Sequence, residues 1–312
     1  MKARGTASRA TVLWRASRPI LRNRLLSGYS WLVHGFSRRP CGNLSFATDA
    51  SIVGESVERN RRRLLAALLP AAGKRRRKFT LVTLRQIHSD IVRVADAQNP
   101  RAGREPDGAL RLAGDALITD QPHLLLVVQT ADCLPIVLVD PERRVVANVH
   151  AGWRGTLARI VAKTIGQMQA RFGIEPRRLR AVIGPGIHAC CYEVGREIYE
   201  RYAAQFPGAD SLFHRFEPSP SEAHWHPKIT GRPLKPSRPT SNLPSSGATA
   251  DTTRWFLDLV EANRQQLRAA GLRAAHIAVV DTCTACRTDL FFSHRAEAGR
   301  TGRQMALVGL LS

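Results

Sequence analysis

The chain has 312 residues, 44% of them apolar, and a formal charge of +22, which suits one large domain or two small ones and argues against disorder throughout. No stretch approaches the roughly 20 uncharged apolar residues of a membrane span; the best run, Leu124 to Val128, ends at Gln129, Thr130 and Asp132. The charge raises nucleic acid as a partner. However, the basic residues gather in an N-terminus without acids before Asp49 and in the run Lys74-Arg75-Arg76-Arg77-Lys78, with no zinc-finger spacing and no interleaved aromatics, so a nucleic-acid role is disfavoured.

Residues 1–29 read as a basic, flexible extension. They are rich in Arg and Ser like a transit peptide but lack the apolar core of a secretory signal, so the expected location is cytoplasmic, with an organellar address left open. Folded character starts near Ser30 with Trp31-Leu32-Val33-His34-Gly35-Phe36, and 30–312 reads as a single domain. A helix is expected over 57–69, ending at Pro70. Strands are expected over 79–84, 91–94 and 116–119, with a loop over 108–113. Leu124 to Val128, Pro135 to Val139 and Val145 to His150 are further strands, the last two joined by turn chemistry at Asp140-Pro141-Glu142-Arg143-Arg144.

Ala151-Gly152-Trp153-Arg154-Gly155 then leads into an amphipathic helix from Thr156 to about Phe172, closed by Gly173. A strand at Ala181-Val182-Ile183 and a helix from about Arg196 come next. Residues 217–253, rich in Pro, Ser and Thr and without periodicity, read as a flexible insertion. A helix from Trp255 to Ala270 and strands over 277–280 and 305–310 close the chain. Strands and helices mix without a βαβ period, which predicts an α+β fold.

The hairpin carries the chemistry. A turn centred on Glu142 sets Cys133 opposite Ala151, and a turn offset by one sets it opposite His150; opposed residues share a face about 5 Å apart. A thiolate and an imidazole at that spacing can share one ion, and His88, at the end of another strand, is a third donor. Three N/S donors with an open position describe a catalytic zinc or copper site, while a metal-free Cys–His hydrolytic pair stays open. Six cysteines, including vicinal Cys190-Cys191, fit a reducing compartment. Cys283-Thr284-Ala285-Cys286 has only Cys190-Cys191 as a possible second pair, so these four read as core packing. Phe291-Phe292-Ser293-His294-Arg295 reads as a core edge with Arg295 facing a pocket.

Thr83 to Val92 (TLRQIHSDIV), Gly114 to Thr119 (GDALIT), Gln129 to Asp140 (QTADCLPIVLVD), Asn148 to Thr156 (NVHAGWRGT), Ile183 to Gly195 (IGPGIHACCYEVG) and Asp281 to Gln304 occur in that order. Together they resemble the laccase-domain family, also called multicopper polyphenol oxidase or purine nucleoside phosphorylase proteins. The resemblance spans about 33–310. It implies layered mixed β-sheets flanked by helices, related to the catalytic domain of cytotoxic necrotizing factor. It implies phosphate-dependent release of the base from adenosine, inosine and methylthioadenosine, with deamination of adenosine, and hence purine nucleosides and phosphate as partners. It also assigns the metal and catalytic site to His88, Cys133 and His150.

Around that site Arg39, Gln86, Asp132 and Arg154 are the candidate substrate-binding residues, Arg39 ranking before Arg154 for phosphate and Asp132 as a proton shuttle. Zinc is the expected ion and copper the second choice. The family's His-Gly-Phe-Ser-Thr-Arg appears here as His34-Gly35-Phe36-Ser37-Arg38-Arg39, and the glycine-rich segment after it is shortened to Pro40-Cys41-Gly42-Asn43-Leu44. Other readings are a copper phenol oxidase, which lacks the paired His-x-His motifs of a multicopper cluster, a Cys/His amidase acting on cell-wall precursors, and a non-enzymatic nucleic-acid binder.

Overall fold

The computed structural model describes residues 19–45, 57–69, 79–96, 112–216 and 253–311. Most of the expected insertion and the Lys74–Lys78 run lie outside the described residues. Two mixed sheets form the centre. One runs Ile277–Val279, Arg180–Ile183, Leu134–Asp140, Val145–Ala151, Ala116–Thr119, Val92–Val94; the other runs Ile20–Leu21, Leu32–Ser37, Gln304–Leu310, Leu124–Thr130, Thr80–Val82. A small third sheet joins Glu193–Val194, Arg254–Leu257 and Phe213–Phe216.

The central strands are largely apolar on both faces, as suits strands covered on both sides. Leu117, Val137, Val139 and Val146 of the first sheet cluster with Phe36, Leu126, Ala306 and Val308 of the second. Their neighbours Ile136, Leu138, Ala147 and Val149 pack instead with the helices Ile160–Phe172 and Leu259–Ala269. On the far side, Leu125, Val127 and Leu307 meet Leu64 and Leu68 of the helix Val57–Leu68. The layers are therefore helix, sheet, sheet, helix, an α+β arrangement of mixed sheets as expected. One polar side chain crosses the dry layer: the Asn148 amide donates to the carbonyls of Leu126 at 3.0 Å and Ala306 at 2.9 Å.

Several expectations are corrected. Regular structure starts before Ser30, since Ile20–Leu21 pairs with the strand Leu32–Ser37 and Arg24–Ser27 is helical under an Asn23 cap. The helix expected from Thr156 to Phe172 is broken into Trp153–Leu157 and Ile160–Phe172 by Arg159, at φ 61°. The Asn263 and Gln266 side chains secure the break by donating to the Thr156 hydroxyl and carbonyl, compensating for lost helical bonds. The expected helix Trp255 to Ala270 begins as the strand Arg254–Leu257, where bulky residues favour pairing; the helix starts only after Asp258, whose carboxylate accepts from the Glu261 N–H at 2.8 Å.

Candidate active site

The hairpin register differs from both expected settings. Leu134 pairs with Ala151 and Pro135 with His150, because Asp140 accepts from the Glu142 and Arg143 N–H groups and centres the turn between those two residues. Cys133 therefore lies two residues before the partner of His150, on the same face, rather than directly opposite it. Asp132, at φ 91°, turns the chain into Cys133. Gly152 lies beside the thiol: a Cβ there would fall 2.8 Å from Cys133 Sγ and 3.2 Å from His88 Cδ2. Only a residue without a side chain lets the two approach as they do.

His88 reaches the same point from the loop after Thr80–Val82, at φ 59°. Its loop is locked by Gln86, whose amide exchanges two hydrogen bonds of 2.8 Å with the Gln129 backbone, as a strand neighbour would. The donor atoms of His88, Cys133 and His150 all lie within 4.8 Å of one another. His88 is exposed, Cys133 half-buried and His150 buried, so the cluster has a wet mouth and a dry floor.

Asp115, which lies in the Gly114 to Thr119 motif but has no site role assigned from the sequence, organises this cluster. One oxygen accepts from His150 Nδ1 at 2.8 Å and from the His88 N–H at 3.0 Å. The other accepts from the N–H groups of Ile87 and Ser89 and from the Ser89 hydroxyl. Burial works against this carboxylate's charge, but the His150 and Ser89 bonds outweigh it and hold its pKa down to about 2. A weak sequence signal existed, because Asp115 directly precedes the strand Ala116–Thr119, which pairs with the strand bearing His150.

Burial also opposes charge on Cys133 and His150, yet their mutual attraction wins. With help from His88, it brings the Cys133 thiol down to about 6. With help from Asp115, it lifts His150 to about 9. Thiolate and imidazolium are thus the natural pair at neutral pH. Because Asp115 occupies Nδ1 of His150, Nε2 is left for a ligand, the arrangement typical of metal-bound histidine. The donor set fits a three-ligand transition-metal site.

The other candidates divide by their partners. Asp132 is buried and both its oxygens are engaged, by the Thr284 hydroxyl at 2.6 Å and the Arg295 N–H at 2.7 Å; burial raises its pKa despite these bonds. Arg39 is committed to Glu297 at 2.6 Å, to the Phe291 carbonyl and to the face of Phe292. Arg154 is exposed and lies over the Trp153 ring at 4.6 Å. Arg295 reaches the Tyr192 ring at 5.5 Å and the Glu193 carbonyl, while His294 is exposed and apart from the cluster. Burial and the negative charge of Cys133 push the Tyr192 phenol up, against Arg295 and Arg154; Tyr192 lies in the Ile183 to Gly195 motif, but has no role assigned from the sequence.

Among the described residues no helix is long and apolar enough to cross a membrane. A family model described as multi-copper polyphenol oxidoreductase laccase matches residues 30–231 and 235–311. The purine nucleoside phosphorylase YlmD of Geobacillus stearothermophilus is 35% identical over 280 residues, covering 88% of this chain and 86% of that protein. An adenosine deaminase, RL5, from an unknown prokaryotic organism is 34% identical over 223 residues, covering 72% of each. The crystal structure of the Geobacillus stearothermophilus YlmD superposes with a TM-score of 0.70 at 29% identity, covering 96% of this chain and 98% of that one. A Bacillus licheniformis protein, YfiH, gives 0.71 at 26% identity, covering 95% and 98%.

Proposed function

Because this chain belongs to the multi-copper polyphenol oxidoreductase laccase family, and its relatives include named nucleoside enzymes, we propose that it is a purine nucleoside phosphorylase with adenosine deaminase activity. The observation that carries the proposal is the convergence of His88, Cys133 and His150 on one point, under a single carboxylate. Adenosine, inosine and methylthioadenosine are the expected nucleosides. The family's kinship with the cytotoxic necrotizing factor catalytic domain belongs to the same proposal, supported by the layered mixed sheets. The unpaired cysteines fit a reducing compartment, the cytoplasm.

His88, Cys133 and His150 would hold the ion, zinc before copper given a mixed thiolate and imidazole set. Once bound, it would supply a Lewis acid and an activated water. In phosphorolysis the bond from ribose C1′ to the purine breaks with its electron pair leaving on the base, which takes a proton, while a phosphate oxygen bonds to C1′. Tyr192, whose phenol is pushed up by burial, keeps its proton on Oη. Arg154 is the first choice to hold phosphate, ahead of Arg39, whose guanidinium Glu297 already neutralises. Gln86 and Asp132 act by positioning, the one fixing the His88 loop and the other the turn into Cys133. Deamination would use water at purine C6, releasing ammonia.

Incubation of adenosine with and without phosphate tests the reading. Adenine and ribose 1-phosphate should appear only with phosphate, and inosine in both cases; neither product forming would refute it. A second reading, a cysteine hydrolase, draws on the thiolate–imidazolium pair and predicts amide cleavage that persists under chelation. A multicopper oxidase is disfavoured: among the described residues the only groups able to hold a metal are this one and a set of four cysteines.

A further inference from the structure

The four cysteines assigned to packing by their spacing converge in the fold. Cys190 and Cys191 stand on the turn before Glu193–Val194, where the Cys191 and Tyr192 N–H groups both donate to the His188 carbonyl. Cys283 and Cys286 stand on a second turn, closed by the Arg287 N–H donating to the Cys283 carbonyl at 3.2 Å. The two turns lie side by side through the Gly186–Cys283 bridge, with the Thr284 N–H donating to the Gly186 carbonyl. All four sulfurs fall within 4.8 Å of one another; Cys286 Sγ is 3.5 Å from Cys190 Sγ and 3.4 Å from Cys191 Sγ.

These separations discriminate between readings. A disulfide brings two sulfurs to about 2.05 Å, and all four are free thiols here. Four thiolates around a zinc ion at about 2.3 Å are separated by about 3.8 Å along each tetrahedral edge, close to the spacing observed. Simple packing explains Cys190 and Cys283, which are buried, but not the half-buried Cys191 and the exposed Cys286 that complete the set. The His188 N–H also points at Cys283 Sγ, at 3.5 Å, as expected where a sulfur carries negative charge.

We propose that Cys190, Cys191, Cys283 and Cys286 form a closed structural site for a tetrahedral divalent ion, zinc by donor type, separate from the His88 cluster. Its role derives from the contacts that the two turns make. Ile187 donates its N–H to the Asp132 carbonyl at 2.7 Å, and Thr284 its hydroxyl to the Asp132 carboxylate at 2.6 Å. The ion thus staples together the two segments that grip the residue preceding Cys133. Binding displaces the thiol protons and leaves four thiolates on the ion; no oxidant or reductant is needed.

The test counts zinc in full-length protein carrying His88→Ala, Cys133→Ala and His150→Ala, which removes the other metal group. The expected result is about one zinc per chain, lost when Cys286→Ser is added, and intense thiolate-to-cobalt absorption after exchange into cobalt. Should the quadruple variant fail to fold, titration of the triple variant with an organomercurial decides the matter: release of one zinc as the four sulfurs react supports the site. A folded triple variant without zinc, with thiols that react at once or a disulfide among the four, would overturn it.

Discussion

The Asp115 carboxylate and the His150 imidazole stand 2.8 Å apart, and the same oxygen accepts the backbone N–H of His88. One buried charge thereby orients two of the three candidate ligands, one through its ring and the other through its main chain. Substituting Asp115→Asn removes the charge and turns an N–H group toward donors. We expect a loss of roughly 10–100-fold in both kcat/KM and metal affinity, read by steady-state kinetics and metal titration. Unchanged values would show that Asp115 serves the loop alone.

Gly152→Ala probes the close approach at the thiol. The added methyl would sit 2.8 Å from Cys133 Sγ, so the sulfur must move. A displacement approaching 1 Å costs about 100-fold in turnover, and thermal unfolding should stay close to that of the parent protein. A variant with full activity would mean that the position of Cys133 is not critical.

Phosphate recognition is separable from chemistry. Loss of a charged hydrogen-bond donor is worth about 1.5–3 kcal/mol, so Arg154→Ala should raise the KM for phosphate roughly 10–100-fold and leave deamination largely intact. Arg39→Ala should chiefly lower stability and leave that KM little changed, because Glu297 loses its ion-pair partner. The opposite ranking would restore Arg39 as the phosphate ligand.

Acid stability has two windows. Burial, reinforced by Arg22, lowers His34 from 6.5 to about 4 in spite of its bond from the Asn23 N–H. Below 6.5 the unfolded chain therefore binds a proton that the native state refuses. Stability from His34 is complete above 6.5 and is lost as pH falls from there to about 4, by up to about 3 kcal/mol. Asp115 acts further down: its contribution is present above 3.8 and is lost as pH falls toward 2. Denaturant melts at stepped pH should show the first decline well before the carboxylate range, and His34→Gln should remove it.

Elements set by periodicity and turn chemistry were legible in the sequence. The strands around Asp140-Pro141 and the helix ending at Gly173 stand where apolar runs and turn residues put them, within a residue or two. The motifs named His88, Cys133 and His150, which the fold assembles. The turn geometry at Asp140 shifted the register by one, because side-chain caps rather than counting set its centre. Asp115 stands in the Gly114 to Thr119 motif, but its role was not legible because its partners lie 26 and 35 residues away. The four-cysteine cluster likewise depends on bonds linking turns some 95 residues apart, a proximity that spacing does not encode.

The most direct measurement is formation of ribose 1-phosphate from adenosine and phosphate by Cys133→Ala, taken beside its thermal unfolding curve. The expected result is a folded protein whose phosphorolysis falls by about a thousandfold or more, to background. A folded Cys133→Ala protein that releases adenine at the parental rate would contradict it.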